Sequence, residues 1–429
     1  MSTTNESSLE VEVGWSGEAD TRKAVAAATR SFREHRGAYG LVLVYSSIKH
    51  APKKVLDEVR HAVGDVPIVG CTTTGGICRG GLVRDGIVLA GLRAGALSAG
   101  VGYGRDVYRS PARAARTAVS MARRSLGVAD RKTRLCIIHT AGFTMDKRGV
   151  EEDVVAAVAD ELGTGWTIVG GSAGDDARFL QSFQMAGAEA FDDAVAVALV
   201  STDADVAHGM AHGFVPTDAT VKATEVEGNL VKRLDGKLAA EAYAAMLSVP
   251  VSRLTTGLQI VRIGNKVPRG LMSFSQKLGL TPQRITDSIP FFSLSIEHPF
   301  GVQTPGGEVV VKVPKTITPE GFLEFHTTIP EGEALRVMRL DRDLTLSASD
   351  RAIAGVKQAL GREPALLLVF ECCGRYMYLL REIDALLAKT LAGTTGAVAG
   401  FFSSAEQGTM GGLACQTHNY STSVLGIAG

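Results

Sequence analysis

The chain of 429 residues is poor in most features that mark a specialised scaffold or surface. Its six cysteines (Cys71, Cys78, Cys136, Cys372, Cys373, Cys415) show no C-x-x-C and no zinc-finger spacing, which argues against a metal finger and against a disulfide framework. The adjacent Cys372 and Cys373 close an apolar strand and read as buried free thiols. Aromatic residues make up only 6%, too few for a base-stacking platform. Neither charge dominates: 45 basic residues balance 45 acidic ones, so the electrostatic footprint of a nucleic-acid or anionic-membrane binder is missing. No apolar run nears the roughly 18 residues of a membrane span, and Ala194–Val200 is only strand-length. The opening MSTTNESSLEVEVGW has no basic stretch leading into an apolar core, so no signal peptide is expected and the expected compartment is the cytoplasm. What the chain has in excess is glycine. Its 49 glycines are about 11% of the residues against a usual share of about 7%, and with only 14 prolines beside them the excess is neither collagen nor linker.

The glycines fall into a repeat. GLVLVYSS (40–47), RLCIIHTAG (134–142) and ALLLVFECCGR (365–375) are apolar runs ending in small polar residues, the pattern of strands buried on both faces. Each leads into an amphipathic helical stretch: APKKVLDEVRHAVG, DKRGVEEDVVAAVADELG and MYLLREIDALLAKTLAG. An apolar strand then breaks into a small-residue loop, PIVGCTTTGG, TIVGGSAGDD or AVAGFFSSAEQG, and a final strand closes the unit. Upstream, each unit opens with a strand and a first helix, the second of these with Ser110–Pro111 as N-cap and first helical residue. The units cover about 11–92, 97–200 and 335–428. Alternating strands and helices predict an α/β fold of three related β-α-β-α-β-β units forming helix-covered sheets. The stretch from about 201 to 334 alternates as antiparallel strands do, with one helix near 238–247, and predicts a more antiparallel α+β insertion in the second half.

Several short motifs then occur in one order: VGCTTTGGI, VGGSAGDDARF, AHGFVP, VEGNLVKRLDGKLAAEAY, EHPFG, LVFECCGR, GFFSSAEQG and HNYSTSVL. In this series the chain resembles the FIST family, with an N-terminal FIST-like sensory domain over 1–220 (two repeat units) and a C-terminal FIST-like domain over 221–429 (insertion plus third unit). The resemblance implies a binder of small ligands, an amino acid or related metabolite, acting in signal transduction. Both ends are accounted for by FIST-like sequence, so a histidine kinase or other separate signalling protein is the expected partner. It also implies an alternative, a haem-dependent nitric-oxide sensor. Departures from the family pattern are Gly76 and Ala405–Glu406 in the first and last loops, and Lys312 in place of an arginine-bearing strand.

The candidate ligand-binding residues are those of the loops and strand ends: Gly70, Cys71, Thr72, Thr73, Gly170, Gly171, Ser172, Asp175, Asp176, Glu371, Cys372, Arg375, Phe401 and Glu406. Open α/β sheets bind ligands outside the carboxyl ends of their strands. The glycines there either let the backbone approach a ligand or permit positive φ in tight turns. Arg375 is the expected clamp for a carboxylate, or else half of a structural ion pair. GGSAG (170–174) formally matches the hydrolase nucleophile elbow, which makes Ser172 the weak candidate catalytic serine of a hydrolase or lyase reading. No helical period follows it. His208 and His212 are four apart but sit in extended chain, so the spacing does not make a helical metal pair. His139, His212 and His298 are the weak candidates for a haem ligand; otherwise no metal or cofactor is expected. Oligomeric state is not legible.

Overall fold

The computed structural model describes residues 9–128, 131–144, 147, 149–255, 290–379, 382–409 and 415–429. The first unit holds β1 (Val11–Ser16), α1 (Thr21–Ala28), β2 (Tyr39–Ser47), α2 (Pro52–Val63), β3 (Ile68–Thr73), the hairpin β4 (Gly76–Cys78) and β5 (Gly81–Val83), and β6 (Ile87–Arg93). The second repeats it as β7 (Leu97–Arg105), α3 (Pro111–Leu126), β8 (Thr133–Thr140), α4 (Glu151–Leu162), β9 (Thr167–Gly171), the hairpin β10 (Gln184–Ala186) and β11 (Glu189–Phe191), and β12 (Ala194–Thr202). In each, the second strand is parallel to the third and antiparallel to the last. Helix α2 starts on Pro52, and α2, α3 and α4 run into Gly64, Gly127 and Gly163, all at positive φ. Ser110 precedes Pro111 as expected, but its side chain makes no capping bond. Residues 146 and 148 of the expected second helical stretch, and residue 145 before it, lie outside the described residues.

The third unit departs from the sequence reading at its first strand. That strand is β13 (Val206–His212), antiparallel to the last strand of the unit, and not the stretch beginning at 335. Everything from 214 to 340 is inserted between this strand and the unit's first helix. The insertion comprises β14 (Phe214–Glu227), β15 (Leu230–Leu234), β16 (Lys237–Leu238), α5 (Ala239–Met246), α6 (Val251–Thr255), α7 (Pro290–Glu297), β17 (Phe300–Gln303), β18 (Val309–Lys312), β19 (Pro314–Ile317), β20 (Leu323–Phe325) and β21 (Ala334–Leu340). Strand β21 pairs with β14 and β17 in an antiparallel sheet of its own. Its apolar alternation is that of a half-buried strand in either sheet, which is why the sequence did not separate the two. The unit resumes with α8 (Arg342–Leu346), α9 (Ala348–Leu360), β22 (Leu366–Cys372), α10 (Cys373–Leu379), α11 (Ile383–Ala392), β23 (Ala397–Ser403), the hairpin β24 (Glu406–Gly408) and β25 (Gln416–His418), and β26 (Ser421–Ile427). Residues 380–381, inside the expected third helical stretch, and 410–414, between β24 and β25, lie outside the described residues.

The three units are locked by a cyclic exchange of hairpins. The β10–β11 hairpin of the second unit extends the first unit's sheet, β1-β6-β2-β3-β10-β11. The third unit's β24–β25 extends the second sheet next to β9, and the first unit's β4–β5 extends the third sheet next to β23. The stretch RGGLVRDG (79–86) therefore carries, in β5, a strand of a neighbouring sheet. The inner faces of the three sheets share one core containing Leu41, Leu43, Leu135, Ile137, Leu366 and Leu368; each such fully buried side chain contributes roughly 1.5–3 kcal/mol.

The glycine excess follows from close strand and helix approach. Gly70, Gly170 and Gly400 occupy one register, paired with Val44, Ile138 and Val369. A Cβ on any of them would lie 1.9 Å from the partner's carbonyl oxygen. None of the three has positive φ, so the tight-turn reading gives way to one of steric necessity. Gly100, Gly102 and Gly104 alternate along β7 against Ala122, Ala118 and Ala114 of α3. Two strand residues advance about 6.8 Å and four helical residues about 6 Å, so glycine and helix turn stay in step.

Candidate functional site

The repeat brings three equivalent side chains to the molecule's interior, one residue beyond the Val44, Ile138 and Val369 register: Tyr45, His139 and Phe370. All are fully buried. Tyr45 lies edge-on to His139 at 5.4 Å between centroids, and Phe401 packs on Tyr45, His139 and Phe370. The His139 Nδ1 lies 3.1 Å from the Gly171 carbonyl and donates to it as the neutral tautomer. Burial holds the imidazole neutral, down to about 4.

Beyond these rings, at the carboxyl ends of the central strands, lies a cavity of about 60 Å³. It is lined by Phe143 after β8, Phe179 after β9, Cys372, Cys373, Gly374 and Met377 at the β22–α10 corner, Ser404 after β23, Asn419 and Tyr420 before β26, and His326 of the insertion. Asn419 is 4% exposed and its Oδ1 has no partner. Tyr420 sits at φ 54, in the left-handed region. Its ring closes against Gly374, where a Cβ would come within 2.4 Å. Burial, aided by the Lys315 ammonium, holds His326 neutral, down to about 3; burial pushes the Cys372 thiol well above its ordinary range.

Phe179 reaches the cavity on a strained loop. Asp176, Ala177 and Phe179 all have positive φ, a conformation that needs outside support in residues other than glycine. Asp175 supplies it by accepting the backbone N–H groups of Arg178, Phe179, Leu180 and Gln181 at 2.7–3.0 Å. Phe143 and Phe179 meet at 5.4 Å between centroids, and the Lys315 ammonium lies over the Phe143 ring.

Of the sequence candidates, Cys372 lines this cavity. Cys71 and Phe401 belong to the central core. Thr72 ties the strand ends together, donating to the Gly174 carbonyl at 2.7 Å and accepting from the Phe183 N–H at 2.9 Å, while Thr73 lies 3.5 Å from the Ser46 carbonyl. Asp176 accepts from the Ser47 hydroxyl at 2.8 Å, and burial raises it to about 6. Ser172 is fully buried, accepts from Gln407 Nε2 at 2.8 Å, and is followed by loop and hairpin with no helix behind it. Glu406, pushed well up by burial, is held by Ser403 and Ser421. Arg375 is 1% exposed and paired with Glu371; it also donates to Ser349, Thr422 and, at 2.7 Å, the Thr345 carbonyl. That is the ion-pair alternative of the sequence reading. Asn419, Tyr420, His326, Phe143 and Phe179 are not among the candidates read from the sequence. HNYSTSVL was noticed only as a motif, and nothing in the sequence says that the insertion folds back over it.

All six cysteines are free and buried, and His208 and His212 lie on extended β13. The His208 Nε2 lies 2.8 Å from the Ser423 hydroxyl and the His212 Nε2 is 3.0 Å from the Val309 carbonyl. Among the described residues no cluster of three metal-ligating side chains occurs, and no helix is long and apolar enough to cross a membrane. His139 is walled in by aromatic rings, His212 is bonded through Nε2, and His298 lines neither this cavity nor a second one of about 270 Å³. These residues do not fit a porphyrin.

An uncharacterized protein of Methanocaldococcus jannaschii is 29% identical over 222 residues, 51% of this chain and 38% of that protein, so the match spans well under half the relative's length. A cyanuric acid hydrolase from A. caulinodans aligns over 98% of this chain and 100% of its own at 9% identity, with a TM-score of 0.41. Residues 40–237 match the FIST N domain and residues 278–409 the FIST C domain. The chain belongs to the FIST family, whose domains are small-ligand sensory domains of signal transduction.

Proposed function

We propose that this protein is a sensor whose ligand occupies the cavity between the β22–α10 corner, Asn419–Tyr420 and the insertion, and that it signals through a separate partner such as a histidine kinase. The observation that carries this reading is the Asn419 Oδ1: a buried acceptor without a partner in an otherwise largely apolar cavity. A buried unmet acceptor costs about 1–3 kcal/mol, and a ligand N–H or O–H would remove that cost. The space is about 60 Å³, some two water molecules' share of liquid volume, so a metabolite enters only if the Phe143–Phe179 side yields. Glu371 and Arg375, which could have met the two charges of an amino acid, neutralise each other. The ligand is therefore a compact, uncharged metabolite bearing one hydrogen-bond donor.

Mass spectrometry of small molecules released from the native protein, followed by thermal-shift titration of those found, tests this. Asn419→Leu should weaken the shift at least tenfold in concentration while the fold is kept. An Asn419→Leu protein that responds like the parent would sink the assignment of this cavity.

A further inference from the structure

The three units let one part of the molecule be read against another. Trp15 on β1 pairs with Val88, which pairs with Tyr45. Tyr103 on β7 pairs with Ala196, which pairs with His139. Trp15 and Tyr103 thus hold the same place, each on an edge strand facing its own unit's exchanged hairpin. In the second unit that seam is filled from within. Phe191 of β11 stacks on Tyr103 at 4.1 Å between centroids and 30° between planes, with the Arg105 guanidinium 4.4 Å from the Phe191 centroid. In the first unit the position of Phe191, opposite the hairpin's first residue, is Val83, and the position of Arg105 is Gly17. Among the described residues no ring stacks on Trp15, which is 53% exposed. A cleft of about 270 Å³ lies beside it, walled by Val13, Cys78, Ala397 and Val398. Arg79, at the hairpin turn, also lines this cleft. One of its terminal nitrogens donates to the Thr395 carbonyl at 3.3 Å. Among the described residues no carboxylate pairs with it.

We infer that this seam is a second ligand site, for a small aromatic carboxylate whose ring stacks on Trp15 and whose carboxylate meets Arg79. The missing Phe191 equivalent specifies a planar ring, because aromatic pairs prefer stacked or edge-to-face geometry. The free guanidinium edge specifies an anion with paired oxygens. The site is separate from the Asn419 cavity and stands or falls without it.

The probe is phenylacetate, with phenylacetamide as its neutral counterpart. In a Trp166→Phe background the remaining tryptophan is Trp15, and its emission reports the cleft directly. Phenylacetate should give a saturable blue shift. The amide, or Arg79→Gln, should need at least tenfold more ligand, and Val83→Phe should abolish the response by filling the seam as the second unit does. Arg79 is exposed, so its replacement leaves the melting temperature in place. Asn419→Leu should leave the titration unchanged. No saturable shift, or equal affinity for acid and amide, or an unaltered midpoint in Arg79→Gln, overturns the proposal.

Discussion

Replacing Arg375 separates a brace from a ligand clamp. Arg375 is 1% exposed, its guanidinium bonded to Glu371, Ser349, Thr422 and the Thr345 carbonyl, and Glu371 is fully buried. Arg375→Met keeps much of the aliphatic volume and leaves the Glu371 carboxylate with only the Ser349 and Thr422 hydroxyls. Deleting one partner of a buried pair costs about 3–5 kcal/mol, whereas replacing both by apolar groups is often close to neutral. Arg375→Met and Glu371→Leu are each expected to lose about 3–5 kcal/mol in denaturant unfolding followed by circular dichroism. The double variant should recover at least half of the summed loss, because neither charge is then stranded. The reasoning is refuted if Arg375→Met loses under about 1 kcal/mol, or if the double variant loses the full sum. If the cheap single variant also binds the co-purified ligand far more weakly, the guanidinium was held for the ligand after all.

Gly70→Ala, Gly170→Ala and Gly400→Ala should each cost more than about 3 kcal/mol in the same assay, since the new methyl would meet a backbone carbonyl at 1.9 Å that cannot move without parting two paired strands; Gly355→Ala, mid-helix in α9 with nothing within 4 Å, should instead stabilise by about 0.5–1 kcal/mol. Burial holds His139 near 4 and His418 near 3, both below the ordinary value of 6.5 in the unfolded chain, so their stability contribution is whole above pH 6.5 and fades as pH falls toward 4. At pH 5 each should have lost about 2 kcal/mol, read as a falling melting temperature that His139→Phe lessens if the ring fits. Glu151 behaves oppositely: burial raises it to about 7, so folding favours its neutral form below the ordinary carboxyl value and that advantage is lost as pH rises through 7. Glu151→Gln should flatten that upper arm. Asp175→Asn removes one of the two oxygens that hold the 178–181 backbone and is expected to cost about 3 kcal/mol; amide exchange at 178–181 should quicken by at least tenfold, and unchanged exchange would show that the loop holds itself.

The α/β layering and the repeat were legible because strands buried on both faces leave an unbroken apolar run, such as Leu366–Phe370 within β22, and because glycine-terminated amphipathic stretches name their own ends. The exchanged hairpins were not legible: Gly76–Cys78 and Gly81–Val83 are three residues each, too short for a period of two to register. Nor was the origin of the third unit's first strand. VAHGMAH has His208 where the other units have Val13 and Val101, although its Gly209 is the counterpart of Gly14 and Gly102 and is there because α9 packs close, with the Ala352 carbonyl 2.3 Å from where a Cβ would be. For the site, the sequence reading names the strand ends and their charged residues; of these Cys372 borders the cavity, while Arg375 and Glu371 pair with each other, and a side chain spent on an internal partner looks the same in sequence as one that is free.

The cavity exists because the repeat is broken at one place. After β2 residues 48–51 lead into α2, and His50 closes that corner, its Nδ1 3.2 Å from the Thr21 hydroxyl and its Nε2 3.0 Å from the Asp85 carbonyl. After β22 the corner instead meets His326 from the insertion that splits the third unit. That insertion also reaches the second unit: Lys312 pairs with Glu152 at 3.5 Å, and Lys315 donates to the Lys147 carbonyl at 2.8 Å while lying over Phe143. Phe214, at the root of the insertion, lies edge-on to Tyr420 at 6.2 Å between centroids. A ligand that displaces Phe143, Phe179 or Tyr420 therefore pushes on groups that also position the insertion. A binding protein becomes a sensor only when two arrangements hold the ligand unequally. In the proposed sensor, the insertion, which supplies His326 and lies over Phe143, is the element a ligand in this cavity would press on, and so the proposed surface for a signalling partner.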